Sequence, residues 1–369
     1  MKRNGILLVL IVLVMVAIAL LLWQPWVAKT QPVSEIAAAW STSGHADYAS
    51  ESFNHWNEEE TPEVPTGCAK CHSNYGLRDY LGLDGSAVDA VDAPAKIGSV
   101  VTCETCHNPA ADSLTAVTFP SGETVDASGP ATVCMECHQA TTSGVAVAQS
   151  ITGMDPDTVS EDLKSVNPHY YAAAATQYGG LAKGGYEYEG KDYIGHYEHS
   201  ENAQTCTDCH NPHDLTVDPA NCTTCHSNVV DIEDARQIRQ TADDYDGDGN
   251  TTEGMADEIE GMRQALIAGI QKYAAEELGT PILFEPEAHP YFFIDTNANG
   301  VADEGEAERA NQYVAWSPRL LRTTFNLLFV TKDPAAYVHN PRYAAELLYD
   351  SLDDLSQVVD IDLSGMVRP

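Results

Sequence analysis

The sequence predicts a mainly α chain with extensive loops, divided into four stretches. Three observations carry this reading. An uncharged apolar run from Gly5 to Trp23 follows Lys2 and Arg3 and is long enough for one membrane-crossing helix. All ten cysteines lie between residues 68 and 225, where long regular elements are scarce. Beyond Asp231 there is no cysteine, and apolar residues recur at helical spacing. The predicted boundaries are 1–23 for an anchor, 24–43 for a linker with a short helix, 44–230 for the cysteine-bearing region and 231–369 for a helical region.

The cysteines fall into five copies of one motif, Cys-x-x-Cys-His. They pair as Cys68 and Cys71, Cys103 and Cys106, Cys134 and Cys137, Cys206 and Cys209, and Cys222 and Cys225, followed by His72, His107, His138, His210 and His226. Each copy reads as a c-type haem attachment site, with two thiols for the vinyl groups and the histidine as proximal iron ligand. A disulfide scaffold would use an even cysteine count without demanding the histidines. Zinc ribbons leave the residue after Cys-x-x-Cys free, and a thioredoxin-like pair is normally single. Five haems c and electron movement are the expectation. The gaps between first cysteines are 35, 31, 72 and 16 residues, too irregular for a solenoid. The last two haems should be neighbours.

The leading run places everything after Trp23 outside the cytoplasm, with the short basic N-terminus inside. A cleaved signal peptide is the competing reading. Its apolar stretch would be shorter, about 7–15 residues, and would end in small residues. Here the run ends in Leu-Leu-Trp-Gln-Pro-Trp, so a retained single-pass anchor is favoured, with Trp23 and Trp26 at the headgroups.

Against 19 basic residues stand 55 acidic ones, a formal charge of −36. Phosphate recognition needs positive charge, so a nucleic-acid partner is excluded. The acidic field suits solubility outside the cell, a basic partner, metal cations or a positively charged mineral surface.

Within the cysteine-bearing region, Thr115–Phe119 and Glu123–Ala127 alternate apolar and polar around Pro-Ser-Gly and read as a hairpin. The stretch 167–180 carries an alanine run behind Pro168 and ends in Gly179, which predicts a helix with His169 at its start. Farther on, Met255, Ile259, Met262, Leu266, Ile270 and Tyr273 mark one helix. Two more run from Pro318 to Val330, capped by Ser317, and from Pro341 to Leu355.

Two acidic loops interrupt that part. Residues 295–306 fit the twelve-residue EF-hand loop, with Asp295, Asn297, Asn299, Val301 by its carbonyl, Asp303 and Glu306 as calcium ligands and Gly300 at the sharp turn. A second loop begins the same way at Asp244, Asp246, Asp248 and Asn250 but has Met255 at position twelve. There Glu253, Asp257 or Glu258 would have to supply the missing carboxylate. One or two structural calcium ions are expected.

Eight histidines lie outside the motifs. Five could saturate the second axial positions, which would leave pure electron transfer. Sequence context favours His45, His55, His169, His199 and His213. His196 could replace His199, His339 is the strongest reserve, and His289 before Pro290 reads as structural.

The strings Ser43-Gly-His-Ala-Asp47, Asn167-Pro-His-Tyr with its alanines, and Cys206-Thr-Asp-Cys-His-Asn-Pro-His213 resemble the membrane-associated polyhaem cytochromes c. The acidic loops and Pro290-Tyr-Phe-Phe-Ile-Asp-Thr-Asn297 are similar to that group as well. The resemblance covers most of the chain after the anchor. It implies bis-histidine haems stacked in a conducting row at the cell exterior, cytochrome partners, and an electron-transfer protein rather than an enzyme. Related multihaem proteins polymerise, so a homopolymer is a further possibility that a retained anchor disfavours. A reductase or oxidase of a small nitrogen or sulfur compound would need an open haem. The Cys-x-x-Cys-Lys motif of ammonia-forming nitrite reductases is absent. A quinol dehydrogenase would need haems nearer the membrane than Cys68 allows.

Overall fold

The computed structural model describes residues 32–127, 129–200, 203–239 and 241–369, so the anchor expected at 1–23 lies outside it. Among the described residues no helix is long and apolar enough to cross a membrane. The chain is mainly helical with long loops, and its strands form three two-stranded antiparallel ladders.

The three long helices lie where the apolar spacing places them, at Met255–Glu276, Pro318–Thr331 and Pro341–Ser356. Two begin alike. Ser317 Oγ accepts from the Leu320 amide and Asn340 Oδ1 from the Tyr343 amide, each with proline as first helical residue. Met262, Leu266, Ile270 and Tyr273 pack against Leu328, Leu348, Leu352 and Leu355 in the main core. A hairpin that the periodicity did not reveal, Ile282–Phe284 with Phe292–Ile294, closes one side through Ile282 and Phe292.

That core also takes in Val147, Ile151 and Leu163 from the cysteine-bearing region. A second cluster joins Val117, Met135, Ala172, Ala174 and Ala175 to Phe329, Tyr343 and Leu347 of the C-terminal helices. The two regions therefore share their apolar interior. Polar groups fasten the same seam. Asn326 bonds both backbone groups of Tyr186 (2.7 and 3.0 Å), the Tyr193 hydroxyl donates to Asp350 (2.7 Å), and the Ile194 amide donates to Glu346 (2.8 Å). This contact depends on bare backbone. A Cβ on Gly185 would meet Leu347 at 2.3 Å, and one on Gly144 would meet the Gly185 carbonyl oxygen at 1.9 Å.

The expected hairpin pairs Ala116–Thr118 with Thr124–Asp126, and bonds from Phe119 to Glu123 and from Ala127 to Thr115 extend it to the anticipated ends. The alanine helix is shorter than expected. It spans Ala173–Tyr178, while His169 and Tyr171 hold positive φ angles of 75° and 56°. Local and long-range bonds win over helix propensity there. Asn167 Oδ1 takes the His169 amide (2.9 Å), and the Tyr171 amide goes to the Lys332 carbonyl (2.8 Å).

Candidate haem centres

Each cysteine motif is built on one helical turn. The motifs lie in or at the end of Thr66–His72, Cys103–Cys106, Ala131–Cys137, Cys206–Cys209 and Ala220–Thr223. In four of them the histidine amide bonds the first cysteine's carbonyl at 2.8–3.0 Å. Residues i, i+3 and i+4 of such a turn share a face, so both sulfurs and the imidazole project together. Thr102 with Thr105, and Thr205 with Asp208, form capping boxes that start two of these turns. None of the ten cysteines is paired in a disulfide.

Every motif histidine is faced by one histidine from outside the motifs. Ring centroids stand 5.8 Å apart for His72 and His169, 6.3 Å for His107 and His213, 6.3 Å for His138 and His45, 6.4 Å for His210 and His339, and 6.0 Å for His226 and His199. The Nε2 atoms of His72 and His169 are 3.5 Å apart. Two imidazole nitrogens trans on one first-row metal stand about 4 Å apart, from metal–nitrogen bonds of about 2 Å. The spacing fits an iron held between each pair.

Hydrogen bonds set the tautomers. Nδ1 of His72 meets the Ser52 carbonyl (2.7 Å), that of His138 the Tyr171 carbonyl (3.1 Å) and that of His210 the Leu215 carbonyl (3.3 Å). A carbonyl only accepts, so Nδ1 carries the proton and Nε2 keeps the lone pair, the form that ligates metal. Burial pushes His45 down to about 4, with His138 beside it adding to the effect. Burial likewise lowers His72, His138, His169 and His199, which keeps these rings neutral.

Four of the five expected second histidines take such positions. His55 does not. It bonds Glu51 at 2.6 Å, stacks edge-on with Trp56 at 5.0 Å, and its side chain is half exposed. The fifth place, opposite His210, is taken by His339, which the Ala336–His339 turn brings over from the C-terminal region. Burial alone would lower His339, but the charge and hydrogen bond of Asp333 outweigh it and hold the ring up. His196 stacks on Tyr178 at 4.4 Å, and its buried Nε2 has no partner. It lines a cavity of about 220 Å³ with Met135 and Cys206, room beside a motif thiol for part of a large planar group. His289 packs against Tyr291 at 5.5 Å.

In an alignment 383 positions long that covers 84% of the chain, the sequence is 25% identical to the C-type polyheme cytochrome OmcC of Geobacter sulfurreducens. The C-type polyheme cytochrome OmcB, from two strains of that species, is 28% identical over 257 residues, 60% of the chain. The chain is related to the multihaem c-type cytochromes. It spans 45% of OmcC and 30% of OmcB, less than half the length of these curated relatives. No protein-family model matches the chain, and no solved structure matches it.

In this chain, thiols of different motifs come together. The Cys71 thiol approaches the Cys137 carbonyl (4.0 Å) and the Cys137 thiol the Lys70 carbonyl (3.7 Å), beside a buried ion pair of Lys70 with Glu136 (2.6 Å). The Cys134 thiol lies against that of Cys206, and Cys209 is near Cys222. The attachment points of the first, third, fourth and fifth motifs thus adjoin in a row, and Cys106 of the second lies near Cys134.

The acidic loops close on themselves. Asp295 accepts from the Asn299 and Gly300 amides (3.3 and 2.7 Å), and Gly300 has φ 82° at the sharp turn. Asn297 and Asn299 both donate to Asp303 (2.7 and 2.8 Å), and Glu306 accepts from the Thr296 and Asp303 amides (2.9 and 3.0 Å). The Val301 side chain points to solvent. In the other loop, carboxylates of Asp244, Asp246 and Asp248 lie within 4.8 Å of one another, as do those of Asp246, Glu253 and Glu258. Asn250 Nδ2 donates to Glu253 at 3.0 Å. Burial and the surrounding carboxylates push Asp246 up to about 6. Glu258 is satisfied by Arg239 and two amides, and Asp257 by Gln237, whereas Glu253 Oε1 is buried without a partner.

Proposed function

We propose that the chain is an extracytoplasmic electron-transfer protein carrying five haems c, each between two histidines. The observation that carries this reading is the one-to-one facing of motif and non-motif histidines, five pairs in all. Cys68 with Cys71, Cys103 with Cys106, Cys134 with Cys137, Cys206 with Cys209, and Cys222 with Cys225 would tether the haems. The ligand pairs would be His72 with His169, His107 with His213, His138 with His45, His210 with His339, and His226 with His199. Bound haem supplies one-electron chemistry. The chain's part is to keep the buried rings of His45, His72, His138, His169 and His199 neutral, orient Nε2 through the Nδ1 bonds, and set the attachment points side by side.

Two strong ligands on every iron leave no position for a substrate, which favours electron relay over catalysis. The apolar run at Gly5–Trp23 would anchor the chain to the membrane with its bulk outside, and the net charge of −36 suits a basic redox partner or acceptor surface. Calcium would be held at Asp295–Glu306, and at Asp244, Asp246, Asp248 and Asn250 with Glu253 as the completing carboxylate.

The full chain, made in a host competent in cytochrome maturation, should gain the mass of five haems and show only low-spin magnetic-resonance signals. Fewer haems, or a high-spin haem at rest, would defeat the proposal.

A further inference from the structure

Three of the haem-facing histidines have main-chain carbonyls on Nδ1, but His339 has a carboxylate. Its Nδ1 lies 2.8 and 2.9 Å from the two oxygens of Asp333. Asp333 is 2% exposed, and His339 is its ion-pair partner among the described residues. The neighbouring Lys332 does not offset that charge at His339. Its ammonium group is turned to the rings of Tyr170 and Tyr291, at 3.6 and 3.8 Å.

We propose that Asp333 gives the haem tethered at Cys206 and Cys209 the lowest reduction potential of the five, acting through His339. This rests on the five-haem reading above. Oxidised iron carries one more positive charge than reduced iron. A buried carboxylate bonded to a ligand therefore favours the oxidised state, by its field in a medium of low dielectric and by making the imidazole a stronger donor. A neutral carbonyl does much less of either. Asp333 is thus a positioning and tuning residue that needs no contact with the haem. Because Cys206 lies against Cys134 and Cys209 near Cys222, the low-potential haem would sit inside the row, not at its end.

The test is a spectroscopic redox titration of the full five-haem protein and two variants, with haem content fixed by intact mass. In the wild type, one haem should titrate below the other four. A single wave shared by all five overturns the proposal without any variant. Asp333→Asn should raise that potential most, move the haem of His138, which also lies in the field of Asp333, by less, and leave the other three in place. A tenfold weakening of the preference for oxidised iron reads as about 59 mV. Asp333→Glu, which keeps the charge, should stay closer to the wild-type value than Asp333→Asn does. Unmoved potentials in Asp333→Asn, or equal shifts in both variants, overturn the proposal. A wild-type mass short of five haems counts against the five-haem reading, not against Asp333.

Discussion

His339 faces His210 with ring centroids 6.4 Å apart, although one belongs to the helical C-terminal part and the other to the fourth cysteine motif. The C-terminal helices are therefore part of the candidate redox site as well as its support. His339→Ala should turn one of the five haems high-spin and leave four low-spin. His55→Ala should leave all five low-spin, since its ring is engaged by Glu51 and Trp56. Magnetic-resonance spectra of the two variants check this, and the reverse outcome would restore His55 as the ligand.

Calcium removal should destabilise the fold. An ion at a hundred times its dissociation constant adds about 2.7 kcal/mol. EDTA should lower the melting temperature seen by calorimetry. Glu306→Gln should remove part of that sensitivity, and Glu253→Gln a separate part. A melting curve indifferent to EDTA would refute both sites.

Glu187 should contribute a loss of stability as pH rises from 5 to 8. Burial pushes this carboxyl up to about 7 from an ordinary 4.5, although the Tyr343 hydroxyl bonded to it at 3.0 Å works in the opposite sense. The folded state thus binds this proton more tightly than the unfolded chain. Its favourable contribution is complete below the unfolded value and is lost as pH rises through the folded one. After allowance for solvent screening the change is about 1–2 kcal/mol. Glu187→Gln should gain stability relative to the wild type as pH rises from 5 to 8, and a difference between the two that stays constant across a denaturant series would contradict this.

Gly144→Ala should be costly for a change of one methyl at a buried position. Its Cβ would meet the Gly185 carbonyl oxygen at 1.9 Å, and backbone cannot rotate away as a side chain can. Overpacking of this kind costs about 1–3 kcal/mol. A lowered denaturation midpoint with unchanged slope would be the signature.

Much of this architecture is legible in the residues because it is local. The three long helices, their Ser317 and Asn340 starts and the 115–127 hairpin follow from spacing and caps within a few residues. The start of the alanine helix was not legible. The Asn167 turn and the Lys332 carbonyl hold residues 168–171 out of it, and the second is a long-range contact. Asp333 gave no signal either, since nothing near it in sequence marks it as the support of a histidine.

Sequence alone determined the ten thiols, the five motif histidines and the acidic loops, because spacings of three and four residues place side chains on one face of a turn. Only the tertiary structure decided which distant histidine meets which motif, and in what order the motifs adjoin. Those choices depend on the shared core of Met135, Ala174, Phe329 and Leu347 and on the loop clamped by Asn326 and Glu346. Contacts between residues so far apart in the chain leave no periodicity to read.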